Sequence, residues 1–131
     1  MKTNRCFVTF ALLALAGVPA FAADRVHVGQ WTGTTIVGGH TYPTSSCVTQ
    51  SDADALNGDA KSVGGYLAKI IPAEVCKISD VKVTDSQIVY SAACAGGAAK
   101  VVSTSYHGDS SEGSDSTGAK IEAKRIGPCK Q

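Results

Sequence analysis

The sequence predicts an all-β, mostly antiparallel protein, and three observations carry that prediction. The first is the stretch 76–94, CKISDVKVTDSQIVYSAAC, where two runs rich in Ile, Val and Tyr flank Thr84-Asp85-Ser86 and the two cysteines are equidistant from Asp85. Branched and aromatic residues suit a pleated surface, Asp and Ser suit a turn, and equidistant cysteines come face to face when the strands pair. A β-hairpin closed across its open end by a disulfide is the expected result. The second is the recurrence of short strand-like runs, at 26–37, 99–107 and 119–126, punctuated by Gly38-Gly39, Gly96-Gly97 and Gly108-Asp109. The third is cysteine usage suited to an oxidising compartment. The expected architecture is an antiparallel meander forming a curved sheet or partly closed barrel, with a short helix between the early and late strands.

The chain opens with a secretory leader at 1–22. Lys2 and Arg5 form the basic n-region, 7–18 the apolar h-region, and Ala20-Phe21-Ala22 a small-x-small cleavage pattern. The apolar run is shorter than the roughly 20 residues a bilayer span requires, and Cys6 lies near the charged end rather than at the cleavage point. Export to the periplasm or beyond is expected, with 23–131 as a single domain. The whole chain has 12 basic and 11 acidic residues; without Lys2 and Arg5, 10 remain against 11, so the net charge is about −1. That balance offers no electrostatic case for nucleic acid or an anionic membrane.

A domain of this size buries only roughly 65% of its unfolded surface, so covalent bracing is useful. Four cysteines follow the leader, Cys47, Cys76, Cys94 and Cys129. The hairpin argument pairs Cys76 with Cys94 and leaves Cys47 for Cys129. Loops of about 19 and 83 residues are closed, for roughly 3 and 4.5 kcal/mol in the loop-entropy model. A zinc site is disfavoured by the lack of a C-x-x-C pair and by the scatter of His27, His40 and His107.

The first strand-like run, 26–37, has Val26, Val28 and Ile36 on one parity and Trp31 on the other, which calls for a bulge near Gly29 or Gly33. A short return strand, 40–44, should end at Tyr42-Pro43. Residues 51–58, SDADALNG, read as a helix with Ser51 as cap and a glycine stop. The segment 57–65 reads as loop, and 66–71 as either strand or helical turn before Pro72. After the hairpin, 108–118 reads as a turn and a weak solvated strand, because another strand must follow it to deliver Cys129.

Chemical motifs tested in the polar segment fail. Residues 113–120 have the form G-x-x-x-x-G-A-K, but the lysine is displaced for a P-loop and no Ser or Thr follows it. An EF-hand from Asp109 would need Gly at Ser114 and Glu at Lys120. His107, Asp109 and the neighbouring serines form no informative pattern where Ser and Thr are so abundant. Asp52 and Asp54 serve most simply as helix-start acids. No catalytic residue, cofactor or metal ligand is assigned, and a non-catalytic role is expected.

Several local patterns together resemble the DUF3617 family of small exported bacterial proteins of unknown function. They are the leader, Gly29-x-Trp31, Cys47-Val48-Thr49 before an acidic helix, Cys76-x-x-x-Asp80-Val81-Lys82-Val83, Cys94, Tyr106-x-Gly108-Asp109-Ser110, and Arg125-Ile126-Gly127-Pro128-Cys129. The terminal R-I-G-P-C and the cysteine spacing are the most specific. The Ser-rich, Met-free penultimate strand departs from the apolar character that relatives tend to show. The resemblance implies location and fold and assigns no catalytic residues. The expected function is an exported module that binds a protein partner or a small apolar ligand, with Trp31, Tyr90 and Tyr106 as the candidate contact residues. Alternatives are an inhibitor-like protein acting on an envelope or extracellular hydrolase, or an assembly subunit marked by long unprotected edge strands.

Overall fold

The computed structural model describes residues 23–131; the leader expected at 1–22 lies outside the described residues. The order of elements is β1 (Gly29–Val37), β2 (His40–Val48), α1 (Gln50–Leu56), α2 (Ala60–Ile70), β3 (Cys76–Val83), β4 (Gln87–Cys94), β5 (Lys100–Tyr106), β6 (Ser110–Asp115) and β7 (Lys120–Gly127). All seven strands lie in one antiparallel sheet of order β2-β1-β7-β6-β5-β4-β3. The meander runs from β3 to β7, and β1 adds to β7, carrying β2 to the edge. The sheet is open, with β2 and β3 as its two edges.

The 76–94 hairpin forms with Cys76 directly opposite Cys94, and the disulfide joins them. Its tip is a loop of Asp85 and Ser86, closed by Thr84 N–H donating to Gln87 O at 2.9 Å. A loop with an even number of residues cannot by itself leave cysteines symmetric about one residue. The ladder restores symmetry by shifting register between Ser79 and Lys82, where Asp80 has φ 52°. That bulge is the extra residue.

Four local expectations change. β1 starts at Gly29 and not at Val26, which instead enters the core. The bulge expected within 26–37 does not form, since β1 pairs β2 in unbroken register and leaves Trp31 and Ile36 on opposite faces; the irregularity near Gln30 lies instead on β7, with Ile126 as its extra residue. β2 continues through Pro43 to Val48, past the expected stop at Thr44. Proline is tolerated there because β2 is an edge and its missing N–H faces away from β1. The first helix begins at Gln50 with Thr49 as cap: Thr49 Oγ1 accepts from Asp52 N at 3.2 Å and Asp52 Oδ2 accepts from Thr49 N at 3.0 Å.

The largest correction is α2, which occupies most of the expected loop at 57–65 and makes 66–71 helical apart from its last residue. Asp59 caps it, accepting from Ser62 N at 2.9 Å. Gly64 and Gly65 each disfavour a helix interior by about 1 kcal/mol. Burial of Val63, 0% exposed, and of Leu67 one turn later outweighs them. Gly64 packs toward Val81, whose Cγ2 lies 3.6 Å from where a Cβ would stand, an ordinary contact distance.

The helices cross one face of the sheet, called here the inner face, from the end of β2 to the start of β3. Val26, Leu56, Val63, Leu67 and Ile88 form the buried centre, with Tyr66, Tyr90 and Tyr106 packed against it. Arg25, 4% exposed, locks the N-terminal segment onto this core. Its Nη1 donates to Leu56 O and to Gly58 O at 3.1 Å, and its Nε donates to Thr84 O at 3.0 Å. The guanidinium thus meets orphan carbonyls at the end of α1, where the helix dipole favours a cation. Desolvation lowers its pKa.

Candidate ligand-binding groove

Direct strand partners share a face, so the register divides the sheet into two chemistries. The outer face carries Thr32, Thr34, Ser103, Ser105, Glu112 and Glu122, and its shallow depressions are polar. On the inner face one cross-strand row is Thr35, Ile121, Gly113, Thr104 and Ile88, and the next contains Asp115, Val102 and Tyr90. The helices cover the part of these rows near Ile88. The remainder opens into a groove of about 350 Å³.

Val37 on β1 and Cys76 on the far edge strand both line this groove. Five strand spacings separate β1 from β3 in the sheet order, about 24 Å if flat, so the sheet bends around the cavity. The floor is Tyr90, Ala92, Val102 and Thr104, one wall is Val37 and Ile121, and Ile71 beyond the end of α2 makes the other. The Cys76–Cys94 disulfide also faces the groove. Val37 and Ile121 line it while 47% and 43% exposed, and Ile70 and Val75, adjacent in the chain to Ile71 and Cys76, are also exposed. Gly113 keeps the floor low: a Cβ there would stand 3.0 Å from Thr104 Oγ1. At one end, Lys100 Nζ lies 3.3 Å from Asp115 Oδ2.

Of the three candidate contact residues, only Tyr90 lines the groove. Tyr106 sits with it in the core, and burial, reinforced by Tyr90, pushes its phenol up to about 12. Burial likewise raises Tyr90. Trp31 is buried elsewhere on the inner face, opposite Arg125, with Nε1–H donating to His27 O at 2.9 Å. The aliphatic lining was missed because Val37, Ile71, Val102 and Ile121 come from four separate segments and read individually as ordinary core.

Trp31 belongs instead to a polar clasp at the opposite end of β1. Gly29 has φ 143°, and a Cβ there would overlap the Gly127 carbonyl and stand 2.6 Å from Arg125 Nε. Arg125 Nε donates to Val28 O at 2.6 Å, and Arg125 N donates to Asp109 O at 2.8 Å. The Asp109 carboxylate meets His27 Nδ1 at 2.8 Å, while His27 Nε2 lies 3.5 Å from Asp24. From Gly127 the chain continues past the end of β1 to Cys129, which bonds Cys47 on β2. The disulfide therefore ties the outermost strand to the end of β7 across β1.

His107 is exposed, its ring 3.4 Å from Glu112 rather than against a serine nucleophile. Among the described residues, no three His, Cys, Asp or Glu side chains converge as metal ligands, and no helix is long and apolar enough to cross a membrane. No curated protein and no solved structure matches the chain. A family described as "Protein of unknown function (DUF3617)" matches residues 26–129. Every pattern after the leader that carried the resemblance lies within that span, and Gly29, Trp31, Asp109, Arg125, Gly127 and Cys129 meet at the clasp: the chain belongs to the DUF3617 family.

Proposed function

We propose that this protein is an exported, non-catalytic binding domain, periplasmic or secreted, that takes up a small apolar ligand in the inner-face groove. The observation that carries the reading is the groove itself: about 350 Å³ lined by aliphatic side chains, with Val37 and Ile121 about half exposed at its wall. Apolar clefts of roughly 300–1,000 Å³ holding few polar groups are the usual form of small-molecule sites. Two disulfides suit an oxidising compartment. Partner recruitment by strand addition is less well supported, because both edges carry guards. β2 has Pro43 at its middle, and β3 has the Asp80 bulge with Lys77 and Lys82.

Native mass spectrometry on the protein purified from its own host tests this reading. The expected species is the two-disulfide polypeptide beginning at Ala23 with a retained adduct of a few hundred daltons. A bare polypeptide that also fails to take up an apolar fluorophore such as N-phenylnaphthylamine would refute it.

A further inference from the structure

Resting on the binding reading above, we infer that the groove's ligand is a free fatty acid, a flexible single acyl chain of roughly 12 carbons whose carboxylate meets Lys100. Volume sets the length. A methylene takes about the same space as a water molecule's ≈30 Å³ share of the liquid, so about 350 Å³ accommodates roughly a dozen.

The lining sets the class. Tyr90 is the one aromatic among the described lining residues, so a flat ring system would find no second face to stack on. The walls are otherwise mainly Val, Ile, Ala and Thr with the Cys76–Cys94 disulfide, the charged pair lies at one end, and the cavity follows the bend of the sheet from Cys76 to Val37. A rotatable chain can follow that bend where a rigid polycycle cannot.

Charge places the head group. Lys100 is the sole cation among the described lining residues, with its side chain 38% exposed, whereas Asp115 is recessed at 8%. Asp115 Oδ1 already accepts from Thr117 N at 2.8 Å, from Thr117 Oγ1 and from Ala119 N at 3.2 Å. Lys100 is thus needed only at Oδ2, and that contact uses one of the three N–H donors of its ammonium. An incoming anion meets the ammonium first and can share it, as charge-assisted pairing favours.

Displacement of N-phenylnaphthylamine from the host-purified protein by linear acids of increasing length tests the inference. Affinity should rise about fourfold per methylene from octanoate and level off once the groove is full, near dodecanoate to tetradecanoate. Dodecanoate should bind at least tenfold tighter than dodecanol or dodecyltrimethylammonium. Lys100→Met should remove that margin and leave dodecanol unchanged. Phosphatidylglycerol vesicles should not displace the probe; displacement by vesicles but not by free acids would assign the site to a membrane lipid and overturn the inference. If the probe binds and Val37→Glu abolishes its binding, yet no acid competes, the fatty-acid inference fails while the groove remains a binding site. If the probe does not bind a polypeptide that native mass spectrometry shows to be bare, both fail. Val37 is already half exposed, so its variant is expected to fold.

Discussion

The two ends of β1 differ in kind. At Gly29 the chain is held by directed, short-range contacts: a left-handed glycine, a buried tryptophan N–H, an arginine on a carbonyl and a disulfide. At Val37 it borders a cavity whose walls are aliphatic, partly exposed and without directed contacts apart from the Lys100–Asp115 pair. Most of the residues that mark the family by pattern lie at the first end or in the turn between β5 and β6, although Cys76 and Cys94 border the groove and Asp80 to Val83 lie in β3, whereas the candidate function lies at the second. A motif made of glycine, tryptophan and cysteine reports where the backbone is constrained, which is not the same as where a ligand would sit.

The comparison makes the clasp a stability element and the groove a dispensable one for folding. Its largest test is removal of the Cys47–Cys129 bridge by the paired change to alanine. The loop-entropy model predicts a loss of about 4.5 kcal/mol, against about 3 for removing Cys76–Cys94. Urea unfolding at neutral pH measures both, and a reversed order would contradict the clasp's primacy. Next, Gly29→Ala should lose about 2–4 kcal/mol, since it combines an unfavourable φ with overlap of the Gly127 carbonyl. Gly113→Ala in the groove floor should lose about 1 kcal/mol, less than Gly29→Ala, because the neighbouring Thr104 side chain can give way and the Ser103 carbonyl, 3.2 Å from the added Cβ, needs only a small shift.

Titration adds a third effect. Tyr106 has a folded pKa of about 12 against an ordinary value of 10, so the folded state holds its proton where the unfolded state has lost it. Stability is therefore complete below pH 10 and declines by about 2–3 kcal/mol as pH rises to 12. Tyr106→Phe should flatten that alkaline limb. On the acid side, the Thr117 hydroxyl leads the donors that hold Asp115 at about 2. The stabilisation it provides is present above pH 4 and lost as pH falls through 2. Thr117→Ala should shift this loss to higher pH, an effect smaller than the alkaline one because the Thr117 and Ala119 backbone amides still donate to the carboxylate.

The smallest stability effect is expected at the groove wall. Val37→Glu and Ile121→Lys should each change unfolding free energy by no more than about 0.5 kcal/mol, as exposed positions usually do, while abolishing uptake of an apolar probe. Losses as large as that of Gly29→Ala would show that the groove is part of the folding core and erase the distinction between the two ends.

How much was legible follows from the range of the contacts concerned. The 76–94 hairpin was readable because its signals, branched runs, a turn and two cysteines, are local, and pairing that hairpin fixed the second disulfide as well. Local signals misled at Gly64-Gly65, where two poor helix formers announced a loop. Val63 and Leu67 were buried against a sheet that the segment itself does not encode. Pro43 misled in the same way, since whether a missing N–H matters depends on which edge of the sheet the strand occupies.

The amino-acid sequence by itself determined the antiparallel strands, the covalent framework and the family, because propensity, turn chemistry and cysteine spacing act over short stretches or through unique partners. Only the tertiary structure decided that β1 closes onto β7, that Trp31 anchors a clasp, and that Val37, Ile71, Val102 and Ile121 surround one cavity. Hydrophobic burial is non-directional, so an apolar side chain carries no record of which surface it will face until the whole sheet has bent around it.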